Sequence, residues 1–125
     1  MIENIRRLPD TELEVMQAIW DCTPPVAKTD IDAKVYATHP MAETTLQTLL
    51  TRLSDKGFLS VTMQKRKKYY SPLVSREEYQ ISQSKSFFHK VCGGNLSAFA
   101  NALCEGGLSK EELAQLRILL EEGQL

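Results

Sequence analysis

A row of leucines in the middle of the chain constrains the fold more than any other feature of the sequence. The leucines recur three, four and seven positions apart, at Leu46, Leu49, Leu50 and Leu53. This is the spacing that places side chains along one side of an α-helix. Gly57 follows, and glycine is the usual residue just beyond a helix end. The pattern predicts a helix over residues 43–56 with one buried stripe and one outward face.

The outward face of this predicted helix is rich in threonine, which is only a mediocre helix former. It carries Thr44, Thr45, Thr48, Thr51 and Arg52. A threonine hydroxyl can contact a phosphate or a base edge, its methyl can contact the thymine methyl, and arginine pairs with guanine. We therefore expect a DNA-reading surface, with ordinary solvent-exposed helix residues as the alternative interpretation.

Prolines and β-rich runs divide the neighbouring sequence into short elements. A helix capped by Asp10 or Thr11 is predicted up to about residue 20, because Pro24 and Pro25 cannot continue it. A second helix is predicted over residues 28–38. After the leucine-rich helix, β-rich runs at residues 58–63 and 69–73 predict a hairpin, with a polar turn between them. Three helices followed by a hairpin predict a winged helix-turn-helix domain over residues 1–73.

The remaining sequence, residues 74–125, is predicted to be helical. Serines at Ser75 and Ser109 stand three residues before glutamates, as in a capping box, and two glycine pairs break the segment. The last helix carries a stripe of leucines: Leu113, Leu116, Leu119 and Leu120. Such stripes need a partner surface, and a second copy of the chain is the simplest one. We expect a mainly α (α+β) protein in which this region forms a homodimer.

Charge is unevenly distributed along the chain, although the formal net charge is only −1. Residues 44–70 contain six basic side chains and one acidic one. Four of the basic residues are consecutive at the predicted hairpin turn: Lys65, Arg66, Lys67 and Lys68. These side chains are predicted to contact DNA phosphates, which adds affinity without sequence information. A solvated hairpin turn is the alternative interpretation.

Several classes of protein find no support in the sequence. No apolar run approaches the roughly 20 residues that cross a bilayer, and no signal peptide is evident, so we expect a cytoplasmic protein. The three cysteines form no CxxC pair, and no metal site or cofactor is predicted. No catalytic triad, paired carboxylates or phosphate-binding glycine loop is present, so we do not expect an enzyme.

The sequence resembles the penicillinase repressor family over nearly its whole length. The resemblance lies in segments 13–20, 45–57 (TLQTLLTRL…KG) and 69–72 (YYSP), and continues through 86–88 and 108–122. It implies a homodimeric repressor, of β-lactam-resistance or related stress genes, that binds double-stranded DNA at a palindromic TACA…TGTA operator through the major groove. By position, the resemblance implies that Thr45, Thr48 and Arg52 read the DNA. Thr44 stands where relatives often carry a lysine.

The inducing signal has several possible forms. Resistance-gene members of this family are induced by a protease that cleaves an Asn–Phe bond, and the matching position here is Asn101-Ala102. A regulator that responds to thiol chemistry or metals through Cys92 or Cys104 is one alternative. The function itself also has an alternative, which is a winged-helix protein-interaction module that does not bind DNA. The near-neutral net charge motivates this interpretation.

Overall fold

The computed structural model describes residues 5–121, with the side chains of Leu119 and Leu120 also outside the described set. In chain order the elements are α1 (Asp10–Trp20), β1 (Val26–Ala27), α2 (Lys28–Thr38), α3 (Glu43–Asp55), β2 (Leu59–Gln64), β3 (Lys67–Pro72), α4 (Arg76–Lys90), α5 (Leu96–Glu105) and α6 (Lys110–Glu121). The chain divides into two compact units between Gln83 and Ser84, within α4. The mainly α fold with a small antiparallel sheet is the predicted fold class.

The core of the first unit forms where α1, α2 and α3 pack together and against the sheet. All four leucines of the α3 stripe are buried, as predicted, and so are Ile31 and Val35 of α2. From α1 come Val15, Met16 and Ile19, and from the sheet region Phe58, Leu59 and Tyr70. Each such side chain stabilises the fold by about 1.5–3 kcal/mol when removed from water. This core fixes the orientation of α3.

Helix ends follow the predictions in α3, α4 and α6 but not in α1. At the end of α3, the Phe58 amide donates to the Leu53 carbonyl and the Gly57 amide to the Ser54 carbonyl, with Gly57 at φ +82°. This is a Schellman motif, which requires a left-handed residue at the glycine position. The capping boxes at Ser75–Glu78 and Ser109–Glu112 are both formed.

The predicted cap of α1 is wrong. The helix begins at Asp10, and Pro9 is its N-cap residue, with no side-chain hydrogen bond to the helix start. Proline supplies a fixed φ before the first turn, so the helix can begin there without a capping side chain. Neither Asp10 nor Thr11 therefore caps the helix.

The sheet has three antiparallel strands in the order β1-β3-β2. The hairpin pairs Leu59 with Pro72 at its base and Gln64 with Lys67 at its end, which leaves a turn of two residues. The predicted polar turn over residues 64–68 is therefore too long. Strand β1, which pairs Val26 with Tyr70, was not predicted because a two-residue strand has no period of its own.

The second unit contains only α-helical elements, in the part that the structure describes. Ring pairs Phe87–Phe99 and Phe88–Phe99, with centroids 6.3 Å and 5.5 Å apart, connect α4 with α5. No described side chain between residues 84 and 121 is buried. Several large apolar side chains are exposed instead: Phe87, Val91, Leu96 and Ile118. The predicted leucine stripe of α6 includes Leu119 and Leu120, whose side chains lie outside the described residues.

Residues 5–121 contain neither a candidate membrane span nor a candidate metal site. None of these helices combines the length and the apolar character that a membrane span requires. Within the same residues, no three histidine, cysteine or acidic side chains are grouped so that they could hold a metal ion.

Candidate nucleic-acid interface

Helix α3 presents a polar face directly opposite its buried leucines. Thr44, Thr45, Thr48 and Arg52 are all exposed, and we call these four residues the reading face. The opposite side of the same helix is held in the core by leucines that are at most 6% exposed. A helix fixed on one side and free on the other can enter a groove without disturbing the fold.

The hydroxyl protons of two α3 threonines are already committed to the helix backbone. Thr48 donates to the carbonyl oxygen of Thr44 at 3.0 Å, and Thr51 donates to the carbonyl oxygen of Gln47 at 2.9 Å. The Gln47 side-chain amide donates in turn to the Thr51 hydroxyl at 3.3 Å. Thr48 is therefore left with oxygen lone pairs and a methyl group for any ligand, whereas Thr51 is occupied by its neighbour.

Arg52 makes no ion pair or side-chain hydrogen bond with any described residue. Four other basic side chains of the described chain pair with carboxylates: Lys28, Lys56, Arg76 and Arg117. An exposed guanidinium with no carboxylate neighbour keeps its fork of donors available for a ligand. Thr45 also makes no side-chain hydrogen bond among the described residues.

Both ends of α3 are held by ion pairs that the sequence analysis did not anticipate. At its start, Lys28 Nζ lies 3.5 Å from Glu43 Oε1. At its end, Lys56 Nζ contacts Glu12 Oε1, and the Glu12 side chain is only 4% exposed. Lys56 was counted in the basic segment, but it neutralises this carboxylate of α1 and so adds no free charge to the surface. Helical spacing at Glu12 could not reveal a partner 44 residues away.

The end of the hairpin carries four consecutive cations, Lys65–Lys68, which we call the wing tip. All four are exposed, and none forms an ion pair with a described residue. Lys65 and Arg66 form the turn itself, with φ of +51° and +67°. Two consecutive positive φ values define a type I′ turn, where Asn-Gly is the preferred sequence. Lys67 and Lys68 lie in β3, where the backbone carries no such strain.

The two tyrosines of β3 face opposite sides of the sheet. Tyr70 is 1% exposed and belongs to the core, whereas Tyr69 is half-buried. The reading face and the wing tip both belong to the first unit, and α3 packs against β2 of the wing.

The remaining candidate residues lie in the second unit. Asn101 and Ala102 are exposed and sit inside the regular helix α5. Cys92 is half-buried, Cys104 is exposed, and both are free thiols. The candidate cleavage position and the two cysteines therefore belong to the second unit, whereas the reading face belongs to the first.

Comparison with known proteins gives a consistent result. The model of the family described as "Penicillinase repressor" matches residues 8–122. A penicillinase repressor of Bacillus licheniformis is 31% identical over 97% of this chain and 94% of its own length. The methicillin resistance regulatory protein MecI of Mammaliicoccus sciuri is 29% identical over 92% of this chain and 94% of its own length.

A solved structure is also similar. The solution structure of the Bacillus licheniformis BlaI monomeric form in complex with the blaP half-operator superposes with a TM-score of 0.52 at 30% identity. It covers 61% of this chain and 92% of that one. The winged helix fold expected from the order of elements is thereby confirmed, and the family consists of repressors, which confirms that the chain is not an enzyme. The chain belongs to the penicillinase repressor family.

Proposed function

We propose that the chain is a homodimeric, sequence-specific transcriptional repressor whose helix α3 enters the major groove of a palindromic DNA operator. One observation carries this proposal: the reading face lies open on a helix whose other side is buried in the core. The similar BlaI structure, solved in complex with a half-operator, supports binding of DNA by this chain. A repressor of this kind acts where the genes are, so the proposal includes a cytoplasmic location.

Each side chain of the reading face has a distinct role in this proposal. Arg52 pairs with guanine O6 and N7, because its guanidinium has no competing carboxylate. The Thr48 lone pairs accept from an exocyclic amino group, or its methyl packs on a thymine methyl, since its proton is bound by the Thr44 carbonyl. Thr45 contacts the next base step along the helix, and Thr44 contacts a phosphate near the helix start.

The wing tip supplies phosphate contacts beside the groove. Its four cations are exposed and have no described ionic partner, so a phosphate would meet no internal competition. Each phosphate contact releases condensed counterions, which steepens the salt dependence of binding by about 0.9 in the log–log slope. Lysines and arginines at this position therefore contribute affinity for all sequences equally.

Dimerisation through the second unit is supported by the exposure of large apolar side chains among its described residues. No described side chain of this unit is buried, while Val91 and Leu96 are each 72% exposed. Apolar surface of this extent is unusual on a monomer and is typical of an interface. A two-fold dimer would also match the symmetry of a palindromic operator.

Induction is proposed to act on the second unit. Cleavage at Asn101-Ala102 by a regulatory protease would require α5 to unwind locally, because a protease binds its substrate in extended form. Induction by thiol chemistry or metals through Cys92 or Cys104 stays a prediction. The alternative function, a protein-interaction module that does not bind DNA, also stays a prediction.

The function is tested by selecting bound DNA from a random pool with the full chain. We expect an enriched sequence with two inverted half-sites separated by about one helical turn. A single half-site would contradict the dimer, and no enrichment over random DNA would contradict sequence-specific binding. Sedimentation should give twice the 14.1 kDa mass of one chain. Leu96→Asp should abolish this dimer, whereas Leu73→Asp, at another exposed leucine in the first unit, should leave it intact.

Arg52→Ala tests the reading face directly. Loss of one good base contact in each half-site should weaken binding to the selected palindrome by about 1–3 kcal/mol per half-site, while binding to random DNA changes much less. Arg117→Ala is the matched control, because Arg117 is exposed on α6 and pairs only with Glu121. Equal losses on both DNAs would assign Arg52 to phosphate contact instead.

A further inference from the structure

The first turns of α4 are attached to the DNA-binding unit by an unusually dense set of contacts. Arg76 is the first residue of α4, and its guanidinium reaches back to the end of α1. There it donates to Asp21 Oδ1 at 2.6 Å, to the Gln17 carbonyl oxygen at 3.3 Å and to Gln17 Oε1 at 3.2 Å. The same guanidinium lies over the Trp20 ring, 5.8 Å from its centroid.

These contacts satisfy a particular need of α1. The last turn of this helix contains no basic residue, so its C-terminal carbonyls lack the positive charge that normally stabilises a helix end. Arg76 provides that charge from another element and donates to the Gln17 carbonyl oxygen, which also accepts from the Asp21 amide. The guanidinium beside Asp21 also lowers the pKa of that carboxyl below its ordinary value of 3.8.

A second group of contacts holds the same segment from the other side. The Trp20 indole N–H donates to the Val74 carbonyl oxygen at 2.9 Å, just before α4 begins. One turn into α4, the buried Tyr79 hydroxyl accepts from the Leu8 amide at 2.9 Å. The Tyr79 ring lies 5.8 Å from Trp20 and 5.9 Å from Phe58.

The start of α4 is therefore attached to α1, to Leu8 in the segment before α1, and to Phe58 at the base of the hairpin. Arg76, Trp20, Asp21 and Tyr79, which we call the α4 clamp, fix the direction in which α4 leaves the first unit. Three separate anchor points between Val74 and Tyr79 hold the start of the helix against the rest of the first unit. None of these side chains belongs to the reading face.

We propose that the α4 clamp consists of positioning residues that set which spacing between two operator half-sites the dimer accepts. The proposal rests on the proposed function, because it requires a dimer that binds two half-sites. Helix α4 runs without interruption from the clamp to Lys90, in the unit proposed to dimerise. A fixed exit direction of α4 therefore transmits the geometry of the dimer to α3.

The physical basis is the rigidity of DNA itself. Each base pair added between half-sites moves the second one by about 3.4 Å along the axis and turns it by about 34°. A dimer whose α4 direction is fixed cannot follow this rotation, so it should discriminate sharply between spacings. A dimer whose α4 can pivot should bind several spacings with similar affinity.

The test compares full-length variants on palindromes whose half-site spacing differs from the selected optimum by one or two base pairs. A duplex with one half-site measures the reading face alone. For Arg76→Ala we expect the preference for the optimal spacing to fall about tenfold, with half-site affinity within twofold of wild type. Arg76→Lys should give an intermediate preference, because lysine keeps the charge near Asp21 but has no fork of donors.

The matched control is Lys85→Ala, an exposed residue later on α4, which should keep the wild-type preference. An unchanged preference in both Arg76 variants would overturn the proposal. Equal losses of affinity on the half-site and on every palindrome would also overturn it, because they would indicate a purely structural role. Failure of the wild-type chain to bind any palindrome would instead refute the proposed function, which separates the two conclusions.

Discussion

Replacing the two turn residues of the wing should stabilise the protein and weaken its DNA binding at the same time. Lys65 and Arg66 hold φ of +51° and +67°, a conformation that costs a residue with a side chain about 1 kcal/mol. The type I′ turn prefers Asn-Gly, which adopts this conformation with little strain. The double change Lys65→Asn with Arg66→Gly also removes two cations.

The magnitude follows from these two effects. Relief of strain at both positions gives about 2 kcal/mol, and the greater freedom of glycine in the unfolded chain offsets up to about 1 kcal/mol of it. We expect a net gain of about 1 kcal/mol, or a rise in Tm of about 4 °C. Losing two phosphate contacts per protomer should flatten the log–log salt dependence of binding to a single half-site by about 1.8.

A matched variant separates strain from charge. Lys67→Gln with Lys68→Gln also removes two cations from the wing tip, but these residues lie in β3 with ordinary backbone angles. Thermal unfolding should show stabilisation only for the Asn-Gly variant, whereas salt titrations should show a flatter slope for both. A loss of stability in the Asn-Gly variant would refute the strain argument, and unchanged slopes would refute the phosphate contacts.

Three further substitutions test the scaffold around the site. Lys56→Met leaves the buried Glu12 carboxylate without its partner and should cost about 3–5 kcal/mol in urea unfolding, with Glu12→Gln recovering part of the loss. Gly57→Ala should cost about 1 kcal/mol, because the residue holds φ +82° while an added Cβ meets no atom within 4 Å. A larger loss would indicate a clash. Asp21→Asn should lower stability at neutral pH, because Arg76 depresses the Asp21 pKa in the folded state. The difference in unfolding free energy between wild type and variant should be complete above the ordinary pKa of 3.8 and should disappear as pH falls through the lower pKa of the folded state. A difference that stays constant across acid pH would contradict this prediction.

Local patterns predicted the elements well where the physics is local. The leucine period placed α3 and its buried side, since a helix must turn one face to the core. Gly57 and the Ser75 and Ser109 capping boxes marked helix ends, because their hydrogen bonds join residues a few positions apart. The same reasoning failed at α1, where Pro9 begins the helix without a side-chain cap.

Charge was the property that local patterns described least well. A count along the sequence treats Lys56 and the wing-tip lysines alike, since all lie in one basic segment. The fold separates them, because Glu12 comes from α1 to neutralise Lys56, whereas no described carboxylate approaches the wing tip. Arg76 likewise showed no signal in the sequence, since its partners Gln17 and Asp21 lie 59 and 55 residues away.

The sequence by itself determined which residues of α3 face the core and which face outward, because a helical period depends only on residues a few positions apart. It also determined that a basic hairpin follows that helix. Only the tertiary structure decided which cations stay unpaired, and that Arg76 at the start of α4 contacts the end of α1. Both depend on contacts between segments that are distant in the sequence, and such pairing is set by packing of the whole unit.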